Sequence, residues 1–334
     1  MKLSDIGEFG LIDRFSPSFV KSLPSELFGI GDDCAVMPWD KEKSLLITTD
    51  MLVEDIHFLR ARILPEDLGY KSLAVNLSDI AAMGGSPHSA YLSIAIPKDI
   101  DVEWLDQFFA GLDDLGKSAS VPLLGGDTTK SPGPLTINIT VLGFIKTEYI
   151  KYRSSARAKD IVCVTGWLGD SGGGLNILLE NREVDEDAAY LLQQHHRPRA
   201  HIEEGTWLAA QKGIHAMMDV SDGIDSDLHR IIERSFCGVC INLEQLPVSP
   251  ELKRAAKKYN WTVHEMAASG GEDYCLLVTI EPNHFPQISA NFQEKFDRPL
   301  HAIGIITAAK NELVYLLNGK SLRLGKHGFD HFKK

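Results

Sequence analysis

The 334-residue chain lacks an excess of basic residues and lacks long apolar runs. Its 34 lysines and arginines are outnumbered by 46 aspartates and glutamates, which gives a formal net charge of −12. Nucleic acids and anionic membrane surfaces are bound through basic patches, so this balance argues against both kinds of partner. No segment approaches the ~20 apolar residues of a membrane-spanning helix, and the start, MKLSDIGEFG, has no apolar run fit for a signal peptide. A cytoplasmic protein is expected.

Cysteine is scarce, with five residues whose number is odd and whose positions are scattered. These features argue against a disulfide framework. Cys237 and Cys240 have the C-x-x-C spacing, but no second pair completes a zinc site. Because they adjoin the strand-like run VCINL, we interpret them as small buried hydrophobic residues. Three histidines, His195, His196 and His201, are likewise interpreted as helix-end packing rather than a metal site.

The standard phosphate-binding motifs are also absent. The chain contains no G-x-x-x-x-G-K-[ST] loop and no kinase series of glycine loop, strand lysine and H-R-D. Instead, acidic residues recur at the predicted ends of strands and helices, repeatedly beside glycine. The segments are GIGDD, TTD, NLSD, GGDTT, MDVSDG and GGEDY. Any one of them is easily explained as a turn, but six in one chain indicate a shared purpose.

Alternating patterns predict an α/β (α+β) fold with two domains. Short runs rich in β-branched residues, such as residues 44–50 and 89–97, alternate with helical patterns, such as residues 66–84 and 101–119. The pattern lapses at residues 151–160, KYRSSARAKD, which we interpret as a linker. The expected domains are therefore residues 1–150 and residues 151–334.

Acidic residues gathered from several loops suggest metal-dependent phosphate chemistry. Carboxylates in one place repel one another and raise each other's pKa, and divalent cations between them relieve that repulsion. Mg²⁺ prefers oxygen ligands and typically takes one or two carboxylates together with substrate phosphates. Hydroxyl groups stand beside several of the aspartates, as Thr48 and Thr49 do before Asp50. The backbone of Gly125 and Gly126 is a candidate for contact with phosphates.

The acidic segments, taken in order, resemble a known family. The segments are GIGDDCAV, TTDMLVEDIHF, KSLAVNLSDIAAMGG, GGDTT, MDVSDG and SGGEDY. Together they resemble thiamine-monophosphate kinases, members of a superfamily with aminoimidazole ribonucleotide synthetase and selenophosphate synthetase. The resemblance extends from about Gly7 to Phe332. It implies a Mg²⁺-dependent transfer of phosphate from ATP to thiamine monophosphate. It also implies a homodimer whose N-terminal sheets pair into a barrel.

The resemblance further implies a role for each matching position. The metal ligands, for several Mg²⁺ ions, would be Asp32, Thr48, Thr49, Asp50, Asp79, Asp127, Asp219 and Asp222. The nucleotide phosphates would be contacted by Gly125, Gly126, Arg153 and Ser221. The thiamine phosphate would be faced by His57, Glu272 and Phe329. Three segments depart from the family pattern. Asp55 stands where glycine is usual, RSSARAKD lacks the usual proline–glycine, and the loop after Thr129 is longer.

Physical chemistry agrees with these roles. Donor and acceptor are both polyanions, whose repulsion at contact is on the order of several kcal/mol even at an effective dielectric constant near 20. Bridging Mg²⁺ removes that repulsion and stabilises the charge on the transferring group. The acceptor phosphate oxygen is already ionised at neutral pH, so no general base is needed. We expect direct in-line transfer with no covalent nucleophile on the protein.

Two alternatives stay open on sequence grounds. The first is a sister enzyme of the same fold. A selenophosphate synthetase would need a reactive cysteine in the N-terminal segment, whereas residues 3–27 contain none, and a hydrogenase-maturation relative would end in cysteine rather than GFDHFKK. The second alternative is a non-enzymatic module that binds divalent metal. It would explain the aspartates, but not their placement at strand ends beside glycine pairs.

Overall fold

The computed structural model describes residues 2–325, 328, 329, 331 and 332. The helices in this part of the chain are α1 (Leu3–Val20), α2 (Pro65–Ala82), α3 (Val102–Ser118), α4 (Asp170–Leu179), α5 (Glu186–His196), α6 (Ile202–Ala209), α7 (Ile224–Ser235), α8 (Pro250–Tyr259), α9 (Val263–Ser269) and α10 (Phe285–Phe296). The strands are β1 (Ala35–Pro38), β2 (Lys43–Val53), β3 (Ser86–Ile96), β4 (Leu123–Lys130), β5 (Thr136–Lys146), β6 (Ile161–Val164), β7 (Ile214–Asp219), β8 (Gly238–Asn242), β9 (Leu276–Ile280), β10 (His301–Thr307), β11 (Leu313–Leu317) and β12 (Lys320–Leu322).

The N-terminal sheet has five strands in the order β1-β2-β5-β3-β4. Its central strand β5 alternates strictly, so that Ile137, Ile139 and Val141 are buried while the residues between them are only half-buried. The buried face packs against α2 and α3. These two helices approach so closely that a Cβ on Gly111 would lie 1.8 Å from the carbonyl oxygen of Glu66. The opposite face is more exposed and mixes polar side chains such as Thr49 and Asn138 with apolar ones such as Met51 and Tyr91.

The C-terminal sheet has seven strands in the order β12-β11-β8-β10-β6-β9-β7. All five residues of β9, LLVTI, are buried, because both faces of the sheet are covered. In β6, Val162 and Val164 join one apolar cluster, whereas Cys163 between them joins another on the opposite face. A mixed α/β fold with two domains, each built on its own sheet, is thus the observed architecture.

Helix α2 links the two sheets. Its last turn, at Ala81 and Ala82, packs into the apolar cluster of the C-terminal sheet together with Met217 and Leu276. Gly205 in α6 permits this contact, since a Cβ there would lie 2.3 Å from the carbonyl oxygen of Ala81. The helix that carries the NLSD segment therefore runs along the boundary between the domains.

The predicted linker is a fixed part of the structure. Residues 153–155 form a 3₁₀ turn that contacts α7. The Ser235 hydroxyl donates to the carbonyl oxygen of Arg153 at 2.7 Å and accepts from the amide of Ala156 at 3.0 Å. A segment of basic and small residues thus indicates a boundary between domains, but it does not indicate that the segment is flexible. The domain limits at residues 150 and 151 stay a prediction.

Several elements had no clear sequence signal, among them α1, α10 and the pair β11 and β12. Helix α1 contains Pro17 and a kink at Gly7, whose φ is +69°, and both features obscure the helical pattern. Cys237 lies just before β8 and is buried, whereas Cys240 lies within β8 and is half-buried. Both are free thiols. Among the described residues, no helix has the combination of length and apolarity that crossing a membrane requires.

Candidate active site

Three aspartates from distant parts of the chain meet at the domain boundary. Asp33 lies in the turn before β1, Asp79 in the last turn of α2, and Asp219 at the end of β7. Each offers a carboxylate oxygen, and these oxygens all lie within 4.8 Å of one another. Two hydroxyl groups orient them: Thr48 donates to Asp79, and Ser78 donates to Asp219 at 2.6 Å. We call Asp33, Asp79 and Asp219 the acidic triad.

Strand β2 places its polar residues on two sides. Thr48 and Asp50 face inward towards α2, where the Asp50 amide donates to Asn76 at 3.0 Å. Thr49 between them points to the opposite face, where its hydroxyl accepts from Asn138 at 3.0 Å. The residues of TTD therefore lie on both faces of the sheet: Thr48 and Asp50 border the acidic triad, and Thr49 does not.

Burial raises the free-energy cost of ionising the carboxyl groups in this region. Burial, reinforced by the neighbouring carboxylates, raises the pKa of Asp79 well above its ordinary value and that of Asp219 to about 8. Burial likewise raises the pKa of Asp50 to about 6 and that of Asp32 to about 8. Buried oxygen ligands that repel one another are the environment that a divalent cation stabilises. The donor set, carboxylates and hydroxyls, fits Mg²⁺.

Arg153 is the cation nearest to these acids. Its guanidinium lies 2.5 Å from a carboxylate oxygen of Asp33, and its backbone amide donates to Asp32 at 3.2 Å. The side chains of Asp33 and Asp32 are only 0% and 1% exposed. The two adjacent aspartates of GIGDD are therefore both held by Arg153: Asp33 by the side chain, and Asp32 by the backbone amide together with an ion pair of 3.7 Å to the guanidinium.

A cavity of about 930 Å³ opens beside the triad. Its acidic lining residues are Glu8, Asp50, Asp55, Asp79, Asp222, Glu265 and Glu272. No lysine or arginine is among the described residues that line it. An anionic ligand in this cavity would meet mainly carboxylates among the described residues of the lining.

The far end of the cavity is apolar and aromatic. Trp261, Met266, Leu175 and Leu179 line it, together with Phe329 from the C-terminal segment. The amide of Phe329 donates to the carbonyl oxygen of Asp222 at 3.0 Å, which ties that segment to the loop after β7. The cavity thus joins an acidic end to an end that suits an organic ring.

His57 also lines the cavity, and its ring lies 4.9 Å from that of His331. Its Nδ1 accepts a hydrogen bond from the amide of Val53 at 3.0 Å, so the neutral ring carries its proton on Nε2. Burial lowers the pKa of His57 to about 4, with the nearby His331 and Lys71 acting in the same direction. At neutral pH the residue is an uncharged donor.

Comparison with known proteins identifies the family of this chain. Residues 31–145 match the family described as AIR synthase related protein, N-terminal domain, and residues 159–316 match the C-terminal domain of the same description. Thiamine-monophosphate kinase of Haemophilus influenzae is 40% identical over 335 residues, which cover 98% of this chain and 99% of that protein. The Escherichia coli K12 enzyme of that name is 38% identical, with 98% of each chain covered. The chain belongs to the thiamine-monophosphate kinase family.

A solved structure agrees with that assignment. The structure described as "AaThiL complexed with AMPPCP and TMP" is 34% identical, covers 99% of both chains and superposes with a TM-score of 0.85. The family prediction from the ordered acidic segments is therefore confirmed, and so is the two-domain α/β fold. The individual roles of the site residues stay predictions.

Most of the residues expected in a thiamine-monophosphate kinase site converge here. Those that line the cavity are Asp50, Asp79, Ser221, Asp222, His57, Glu272 and Phe329. Asp219 and Thr48 adjoin it through the triad, and Asp32 and Arg153 lie behind Asp33.

Four expected residues lie elsewhere in this chain. Asp127, Gly125 and Gly126 are on β4, an edge strand whose eight residues are all exposed, and Thr49 is on the outer face of β2. Register places Asp127 opposite Ser93, and Ser93 opposite Asn138, the hydrogen-bond partner of Thr49. Asp127 and Thr49 therefore share the outer face, three strand spacings and two residues along the strand from each other, or about 16 Å apart.

Gly126 owes its identity to backbone geometry. Its φ is +152°, and a Cβ would lie 1.6 Å from the carbonyl oxygen of Leu92. The residue is thus required for β4 to pair with β3, whatever it contributes to a nucleotide site.

Sequence reasoning missed Asp33 and Lys71. Asp33 was visible beside Asp32, but nothing in GIGDD indicates which carboxylate faces the triad. Lys71 lies in a helical segment where lysine ordinarily indicates solvent, yet it is 0% exposed. His195 ends α5 as expected, but it also lines the cavity.

Proposed function

We propose that this protein transfers the terminal phosphoryl group of ATP to thiamine monophosphate, giving thiamine diphosphate and ADP. The observation that carries the proposal is the cavity. It joins a buried acidic triad to an apolar and aromatic end, and the described part of its lining offers no cationic side chain. Membership of the thiamine-monophosphate kinase family supports the same substrates.

Mg²⁺ fits the acidic end. The residues that would hold it are Asp33, Asp79 and Asp219, with Asp32, Asp50, Asp222 and Thr48 as neighbouring candidates. When bound, Mg²⁺ offsets the mutual repulsion of donor and acceptor phosphates. The protein's part is to fix the ligands. Thr48 and Ser78 hold two of the carboxylates by hydrogen bonds, and burial excludes water that would compete for them.

The acceptor needs little help from side chains. A phosphate monoester is ionised at neutral pH, so its oxygen attacks without a general base. His57 is neutral and carries its proton on Nε2, which makes it a donor for the acceptor phosphate. Arg153, Ser221 and the backbone of Gly125 and Gly126 are the candidates for the nucleotide phosphates.

The organic part of the substrate is a cation, and the other end of the cavity suits it. The thiazolium ring carries a positive charge, which a carboxylate such as Glu272 attracts. The face of Phe329 adds a cation–π contact, an interaction of about 0.5–2 kcal/mol. Both side chains line the cavity, and Phe329 is half-exposed towards it.

The active form is proposed to be a homodimer in which the N-terminal sheets pair. Within the described residues, edge strand β4 has no neighbouring strand on one side, and such edges are usually covered. Leu123, Leu124 and Tyr91 add exposed apolar surface beside this edge. Asp127 is exposed on this edge, three strands away from β2, whose Thr48 contacts the triad. In the dimer Asp127 would therefore serve the site of the partner chain.

The test is a direct assay. Purified protein is incubated with ATP, Mg²⁺ and thiamine monophosphate, and the products are separated by chromatography. The proposal expects thiamine diphosphate and ADP in equal amounts, and none when Mg²⁺ is chelated. ADP formed without thiamine diphosphate, or ATP bound without turnover, would indicate a sister enzyme with a different acceptor.

A further inference from the structure

Lys71 is among the largest of the fully buried side chains in the described part of the molecule. It lies in α2 at positions i, i+4 and i+8 with Val75 and Asp79, so the three residues share one stripe of the helix. Val75 and Asp79 line the cavity. The lysine therefore points from the N-terminal domain towards the substrate end, and a buried lysine needs a partner.

That partner is Glu272 of the C-terminal domain. Lys71 Nζ lies 3.0 Å from Glu272 Oε2, and His195 Nδ1 lies 3.3 Å from the same oxygen. Ser171 Oγ is 2.9 Å from His195 Nδ1 and fixes the ring. Burial holds the pKa of His195 well below its ordinary value, so the ring is neutral and the charge that balances Glu272 comes from Lys71.

Glu272 is constrained at its backbone as well. Its φ is +63°, a left-handed conformation that is uncommon for a residue other than glycine. Its amide donates to the carbonyl oxygen of Ser221 at 2.7 Å, next to the residues expected at the nucleotide. Both side-chain contacts use Oε2, and the side chain keeps 25% exposure to the cavity. Oε1 is therefore the oxygen presented to a ligand.

We propose that Lys71 is a positioning residue for the thiamine-phosphate end of the site, and this inference rests on the function proposed above. Its ammonium group holds Glu272 across the domain boundary, so that one carboxylate oxygen stays aimed at the cationic ring. Without Lys71 the carboxylate would rotate away from an otherwise acidic cavity. A displacement of about 1 Å in such a contact can cost on the order of 100-fold.

The test is a double-mutant cycle of Lys71→Met and Glu272→Gln, measured by steady-state kinetics and by calorimetric binding of thiamine monophosphate. Lys71→Met should raise the KM for thiamine monophosphate about 10- to 100-fold and change the KM for ATP less than about twofold. In the Glu272→Gln background, the same lysine substitution should cost less than about twofold. Lys258→Met is the control, since Lys258 pairs with Asp185 at 2.7 Å on the surface. It should match the wild type.

Three results would overturn the inference while leaving the proposed function intact. They are an unchanged KM for thiamine monophosphate in Lys71→Met, an equal loss for both substrates, and effects that add in the double variant. If Lys71→Met fails to fold, the double variant is compared with Glu272→Gln alone. Equal binding supports positioning, and weaker binding contradicts it. A wild-type protein that neither binds nor phosphorylates thiamine monophosphate would instead overturn the proposed function.

Discussion

Two glycine–aspartate segments that look alike in the sequence have opposite surroundings in the fold. In GIGDD, Asp33 is 0% exposed and lies within 4.8 Å of two other carboxylates from two other elements. In GGDTT, Asp127 is exposed on an edge strand, and its carboxylate accepts from the amide of its neighbour Thr128 at 3.0 Å. GIGDD is covered by the C-terminal domain, whereas GGDTT is left exposed by the described part of its own chain.

The difference shows which other parts of the structure each of the two segments needs in order to form a site. The acidic triad needs both domains, since Asp79 comes from α2 and Asp219 from β7. The edge strand can be completed only by something outside the chain, and under the proposed function that is a second copy. Three experiments test this difference between the two segments.

The largest effect is expected for Asp79→Asn. Removing one ligand charge from the triad should lower kcat about 1,000-fold or more. The fold should persist, and the metal-free protein should melt no lower than the wild type, because a buried charge that repels Asp33 and Asp219 is gone. Steady-state assays and circular dichroism measure the two outcomes.

Asp67→Asn is the matched control on the same helix. Asp67 is in the first turn of α2 and pairs with Arg197 at 3.4 Å, away from the triad. It should change kcat less than about twofold. Near-normal turnover in Asp79→Asn would remove the acidic triad from the mechanism.

Asp127→Asn tests the exposed segment. We expect kcat to fall about 100-fold with no change in stability, because the side chain is exposed. When the variant is mixed with Asp79→Asn and the chains are allowed to exchange, half of the dimers are mixed. If Asp127 serves the partner's site, each mixed dimer has one intact site, and about a quarter of wild-type activity returns.

If no activity returns while mixed dimers form, Asp127 acts within its own chain. The two segments would then serve the same site, and their different exposure would not indicate different roles. If the protein sediments as a monomer at the assay concentration, the homodimer proposal fails directly. A tagged copy of one variant, recovered with the other, verifies that exchange took place.

The sequence allowed the family and most elements around the site to be predicted. Helix α2 was predicted at residues 66–84 and is observed at Pro65–Ala82, since its apolar spacing and the following Gly84 and Gly85 are local signals. The family followed from the order of the acidic segments rather than from any one of them. Local patterns suffice where a residue's neighbours in the chain determine its environment.

The rest depends on residues far away in the chain. Asp33, rather than Asp32, faces the triad because Arg153, 120 residues on, holds both carboxylates. Lys71 is buried only because Glu272 lies opposite it, 201 residues later. Asp127 looks like the other motif aspartates, and no pattern along one chain can show that its strand is an edge.

The smallest effect is a pH dependence of stability in the metal-free protein. Burial raises the pKa of Asp219 from 3.8 to about 8, so between these values the folded state binds a proton that the unfolded state does not. Stability is therefore greatest below about pH 4 for this group, and it declines as pH rises towards 8. Added Mg²⁺ should raise the Tm by several degrees, on the order of 5 °C, at pH 8 and less at pH 5.

Asp219→Asn should flatten the decline of stability with pH, whereas Asp127→Asn should leave it as it is, because only the first carboxylate is buried. A Tm that responds to Mg²⁺ equally at both pH values would mean that the buried acids are not where the ion binds, and the two glycine–aspartate segments would then differ in burial alone.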